Sequence, residues 1–150
     1  MAALTIALVV VIAFVAAFRN TSMNDKPPTL VRVGDVPEGD AVSGSSAVDV
    51  VLAGKEYLTV SYFTVRSDGV VHVLWDRNPH LGCAVKPADD VDIPHRDTIA
   101  FTDPCDGSQF ALDGRCVEGP CPRGLDEFRV VERGGVEYFD LAHLQRGAAR

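Results

Sequence analysis

The sequence predicts a small antiparallel all-β domain held at a membrane by an N-terminal transmembrane helix. Three observations predict it. Runs rich in β-formers recur between Leu30 and Leu141, broken by turn residues about every eight to twelve positions. The stretch from Ala2 to Phe18 is apolar and carries no charge. Between the two lies a polar segment whose end is stiffened by Pro27-Pro28.

Residues 1–19 read as a transmembrane anchor or signal anchor. The apolar run is slightly shorter than the roughly 20 residues that cross a bilayer comfortably. Tilt, local thinning or a snorkelling Arg19 covers the difference. A removed secretory signal is the other reading, with Val15-Ala16-Ala17 as small residues for cleavage, but no charged n-region precedes the apolar run. Arg19 alone would place the following domain in the cytoplasm, a vote that the cysteines oppose.

Residues 20–29 form a stalk, and residues 30–141 the β domain. Leu30-Val31-Arg32-Val33 opens it as a short strand, followed by the turn-rich Gly34 to Asp40. Ser43-Gly44-Ser45-Ser46 reads as a loop. Val48 to Leu52 and Tyr57 to Val65 are strands with Gly54-Lys55 as their turn. Ser67-Asp68-Gly69 is a strong hairpin signal, and Val70 to Trp75 is the returning strand. After Trp75 the pattern gives way to Pro, Gly, Cys and Asp until a strand starts at Thr98-Ile99-Ala100-Phe101. Asp113-Gly114 turns a further hairpin. The last one joins Glu127–Glu132 to Val136–Leu141 around Arg133-Gly134-Gly135. Residues 142–150 read as a polar tail.

Composition narrows the function classes. The chain of 150 residues is 47% apolar with a formal net charge of −7, enough to bury one core. No Lys/Arg cluster offers the basic face that phosphate binding needs, so nucleic acid is excluded as a partner. No internal repeat or second domain is visible. His72 lies in a strand pattern and His95 in a polar loop, both without ligand-type neighbours, and Trp75 reads as core. Asn20-Thr21-Ser22 fits a glycosylation sequon.

Two loops carry the chemistry: Asn78-Pro79-His80-Leu81-Gly82-Cys83 and Asp103-Pro104-Cys105-Asp106-Gly107-Ser108. They resemble the two loops of Rieske iron–sulfur domains, Cys-x-His-x-Gly-Cys and Cys-x-Cys-x-Gly-Ser with His after the second Cys. Val31 to Gly39 is similar to that family's first strand and turn. Gly119-Pro120-Cys121-Pro122 resembles its Gly-Pro-Ala-Pro loop. The resemblance covers Leu30 to Leu141 and implies a Rieske-like β-sandwich. The four cluster-ligand places fall on Asn78, His80, Asp103 and Asp106, and only His80 is of the right type. A Rieske centre needs two thiolates and two imidazoles. A neutral amide and hard carboxylates do not replace soft sulfur. No 2Fe–2S cluster is expected.

Four cysteines admit three pairings. The resemblance implies that Cys83 pairs with Cys105, joining the two loops, which leaves Cys116 with Cys121. On a chain-entropy argument the first bond contributes about 3 kcal/mol and the second about 2 kcal/mol, less any strain. Such bonds persist in an oxidising compartment, so the domain is expected on the periplasmic or extracytoplasmic side of a single-pass membrane protein. A cytoplasmic zinc site is the alternative use, but the spacing lacks paired Cys-x-x-Cys and nearby His is scarce. Thiol redox work by Cys116 and Cys121 is a further reading, with Arg115 and Arg123 nearby to activate a thiol and Glu118 to oppose it.

At the tip, His80, Asp103 and Asp106 form a candidate set for one hard metal, one imidazole with two carboxylates. The plainer reading is an ion pair or solvated groups, with Arg77 or Arg123 neutralising the carboxylates. Ser108, His80 and Asp106 make a triad only on paper, since no nucleophile elbow surrounds Ser108. The resemblance implies a relative of the quinol-oxidising, cytochrome-containing complexes: a non-catalytic accessory subunit whose partners are the subunits of a membrane redox complex. The alternatives are a redox or hydrolytic protein using a mononuclear His/Asp site, a cluster-bearing electron carrier with unusual ligands, and a free-standing binding module.

Overall fold

The computed structural model describes residues 29–52, 56–88 and 99–150. The expected anchor, the sequon, the Gly54-Lys55 turn and His95 therefore lie outside the described residues, as does all of the expected stalk but Thr29. Among the described residues no helix is long and apolar enough to cross a membrane.

The domain is all-β and antiparallel, with ten strands in two sheets among the described residues. The larger sheet comprises β1 (Leu30–Arg32), β2 (Ala41–Leu52), β3 (Glu56–Ser67), β4 (Val70–Trp75), β9 (Glu127–Arg133) and β10 (Val136–Gln145). Its spatial order is β1-β10-β9-β4-β3-β2. The smaller sheet orders β5 (Lys86–Pro87), β6 (Ile99–Thr102), β7 (Gln109–Ala111) and β8 (Cys116–Glu118) consecutively.

Tyr62–Val65 of β3 and Val71–Leu74 of β4 send side chains into apolar clusters on both faces, which explains their nearly continuous apolar sequence. Phe63, Val65 and Leu74 join Phe101, Phe110, Leu112 and Leu125 in one core cluster, so the smaller sheet packs here. Phe63 and Phe101 meet with ring centroids 4.9 Å apart. The alternate residues Tyr62, Val71 and Val73 enter a second cluster with Val33, Phe128 and Phe139. Tyr62 and Phe128 flank Phe139 at 4.7 and 5.6 Å. Trp75 packs against this second cluster.

Most sequence-derived elements stand within a residue or two. Asp68-Gly69 turns β3 into β4 in register from Ser67↔Val70. Two readings are corrected. Ser43 to Ser46 is strand rather than loop. The β2–β3 register slips between Val42 and Ser45, one extra residue sits on β2, and the Ser43 hydroxyl donates to the Thr64 carbonyl at 3.0 Å. A bulge on an edge strand tolerates Ser and Gly, because one side of that strand needs no partner. The segment expected as a tail from 142 carries β10 to Gln145, after an irregularity between Asp140 and Leu144. It then returns over the 119–126 segment, where Gly124 N–H donates to Ala148 O at 2.8 Å and Arg123 bridges Ala149.

Candidate functional site

Loop A (residues 78–83) follows β4 and loop B (residues 103–108) joins β6 to β7. They are the same turn built twice. In loop A the Asn78 amide donates to Cys83 O at 2.9 Å and Gly82 N–H returns to Asn78 O at 2.8 Å. In loop B the Asp103 amide donates to Ser108 O at 2.8 Å and Gly107 N–H returns to Asp103 O at 2.9 Å. Each loop opens with an Asx side chain that accepts from the amide two residues on: His80 N–H to Asn78 Oδ1 at 3.0 Å, and Cys105 N–H to Asp103 Oδ1 at 2.7 Å. Gly82 and Gly107 close the turns at φ 74° and 76°, a left-handed conformation that side chains resist.

The sequence signal for this geometry was present. Asn-Pro and Asp-Pro are turn initiators, and both open these loops. The equivalence of the two turns was not read from the sequence.

Across the loops the side chains form one closed network. Asn78, 1% exposed, donates through Nδ2 to Asp103 Oδ2 and, at 3.0 Å, to Asp106 Oδ2. Asp106 Oδ2 also meets His80 Nδ1 at 3.0 Å, while its Oδ1 accepts from Ser108 N–H at 2.8 Å. The arrangement fixes the orientation of the Asn78 amide, because the flipped form would set its oxygen against both carboxyl groups. Burial pushes the Asp106 carboxyl up. The bonds from His80, from the Ser108 amide and from Asn78 outweigh it and hold the group down at about 2.

Beside this network Cys83 and Cys105 form a disulfide with Cα atoms 6.4 Å apart. Cys116 and Cys121 form a second one at 6.1 Å. The third segment, after β8, is seated against loop B by Gly119: a Cβ there would lie 2.7 Å from Ser108 Cα.

The structure thus brings Asn78, His80, Asp103, Asp106, Cys83 and Cys105 together at one end of the domain. It does not bring the two arginines to them. Arg77 Nε pairs with Asp76 Oδ1 at 3.2 Å, and Arg123 forms a bidentate pair with Asp126. Two apolar residues are exposed at the tip, Leu81 at 60% and Pro104, beside the exposed His80.

His72, read from sequence as an ordinary residue, has a specific partner in Glu127, its Nδ1 2.9 Å from Oε1. That hydrogen bond raises its pKa against the opposing effect of burial, with the charges of Glu127 and Asp113 adding to the rise. The alternation that places His72 and Leu74 on one face of β4 was legible, but a partner 55 residues away was not. Two clefts, of about 460 and 210 Å³, are lined by residues such as Arg32, Arg66 and Glu137, and Arg115, Glu127 and Arg146. Neither includes a residue of loop A or loop B.

No protein-family model matches the sequence, and no curated protein matches it either.

Proposed function

We propose that this chain is a Rieske-like accessory subunit of a membrane electron-transfer complex, with a docking role for its head and no 2Fe–2S cluster. The apolar segment of residues 1–19 anchors it, and the β-sandwich head lies on the extracytoplasmic side, where its two disulfides persist. The partners are the neighbouring subunits of a quinol-oxidising, cytochrome-containing assembly. Support comes from the order and spacing of the loop residues, and from the two equivalent turns joined by Cys83–Cys105.

The observation that carries the reading is the position of the Asn78 amide. Its N–H₂ group donates to the two carboxyl groups that stand at the cluster-ligand places. The donor set does not fit a 2Fe–2S cluster. Ferric iron bonded to sulfide asks for anionic sulfur and neutral imidazole, and the tip offers an amide, two carboxyl groups and one imidazole already hydrogen-bonded through Nδ1. A single hard cation held by His80, Asp103 and Asp106 together is opposed, since Asp106 Oδ2 already meets both the Asn78 side-chain amide and His80 Nδ1. Asx turns, a disulfide and backbone bonds shape the loops.

Exposed Leu81 and Pro104 form the apolar contact with a neighbouring subunit. Solubilising the native membrane in mild detergent and separating complexes tests this. The chain is expected to co-migrate with cytochrome-containing subunits, and Leu81→Asp is expected to loosen that association. Migration of the chain by itself, with no redox subunit, contradicts the proposal.

A further inference from the structure

One group of ligand-type atoms is given no chemical role by the docking proposal. Among the described residues, Cys83 Sγ, Cys105 Sγ and a carboxyl oxygen of Asp103 all lie within 4.8 Å of one another. Tetrahedral zinc, with Zn–S near 2.3 Å and Zn–O near 2.0–2.2 Å, holds its two sulfurs about 3.8 Å apart. In the disulfide the two sulfurs are bonded to each other, so on reduction they separate to reach that spacing while staying beside the Asp103 carboxyl oxygen. Asp103 is 2% exposed and fixed in place by the Cys105 and Asn78 donors, so its carboxyl group is preorganised. In the oxidised protein the sulfurs share a bond, and neither carries the charge a metal requires.

We propose that reduction of Cys83–Cys105 converts the tip into a site for Zn²⁺, held by two thiolates and the Asp103 carboxylate with a water as fourth ligand. A dithiol reductant supplies two electrons and two protons. The S–S bond breaks, two S–H bonds form, and the dithiol closes to its own disulfide. On binding, the two thiols release their protons to water and two Zn–S bonds form. The two loops keep their own backbone bonds through the change, from Asn78 N–H to Cys83 O and from Asp103 N–H to Ser108 O. Access favours this bond over the other. Cys105 is exposed and Cys83 partly so, whereas Cys116 and Cys121 are buried. The site is independent of the docking role, and its test reads the head without any partner.

The test treats the full chain with a water-soluble phosphine, which becomes a phosphine oxide with oxygen from water, and titrates it with Co²⁺ as a coloured stand-in for Zn²⁺. One equivalent of sulfur-to-cobalt charge-transfer absorption, bleached by Zn²⁺ and absent before reduction, is the expected result. Asp103→Asn is expected to weaken binding by about 10-fold or more, and the paired change Cys116→Ser with Cys121→Ser to leave it intact. Four results overturn the proposal: no such absorption after reduction, its persistence with Cys83→Ser and Cys105→Ser, equal affinity in Asp103→Asn, or loss of the β-sheet circular dichroism on reduction.

Discussion

At the scale of single residues, the tip is organised by Asn78. Each half of its amide is used: the nitrogen donates to two carboxyl groups and the oxygen accepts the His80 amide. Removing a buried donor strands its acceptors and costs their desolvation. Asn78→Ala is therefore expected to lower stability by about 2–3 kcal/mol, read from the midpoint of urea unfolding. Asn78→Asp is expected to cost more, because a third carboxyl group then faces Asp103 and Asp106. Asp106 has its own pH signature. Its carboxyl is held at about 2 in the fold, below its unfolded value. Its contribution is therefore present above the ordinary carboxylate value and is lost as pH falls towards about 2. The stability gap between the native chain and Asp106→Asn is expected to be constant near neutrality and to close in acid, as followed by unfolding at a series of pH values. A gap that widened in acid would contradict the assignment.

At the scale of elements, β4 and β9 share only two ladder positions, Val73↔Phe128 and Leu74↔Glu127. The His72–Glu127 pair adds a side-chain tie between them. Because the folded His72 pKa is raised, its stabilisation is complete below the unfolded value and is lost as pH rises through the folded one. Glu127→Gln is expected to destabilise the domain more in mildly acidic than in mildly alkaline buffer. Thermal unfolding across that range checks it, and a larger cost on the alkaline side would be the opposite outcome. Elements with a local signature were legible in the sequence: the Asp68-Gly69 hairpin, β4 from Val70 to Trp75, and the Gly134-Gly135 turn into β10. The bulge at Ser43-Gly44 was not, since a strand that accepts Ser and Gly does so because β3 lies beside it. Strand β5, two residues of Lys and Pro, has no periodicity to read and exists by pairing with β6. The site was legible as residues and loops, and its network was not. That Asn78 donates to both acidic side chains follows only once loop A and loop B are adjacent.

At the scale of the whole molecule, the head is a pair of antiparallel sheets around two apolar clusters, capped by loops that hydrogen-bond among themselves. On the proposed reading, the oxidised head needs no metal to fold. A chelator is expected to leave its melting temperature unchanged, whereas Cys83→Ser with Cys105→Ser is expected to cost about 3 kcal/mol. Calorimetry distinguishes the two, and a melting point lowered by the chelator contradicts the first expectation. The most direct test of the central claim measures iron and acid-labile sulfide on chain purified from its natural source, with electron paramagnetic resonance after reduction. Neither element in stoichiometric amount and no two-iron signal is the result expected. A coloured protein holding two iron and two sulfide per chain, paramagnetic when reduced, would contradict the account.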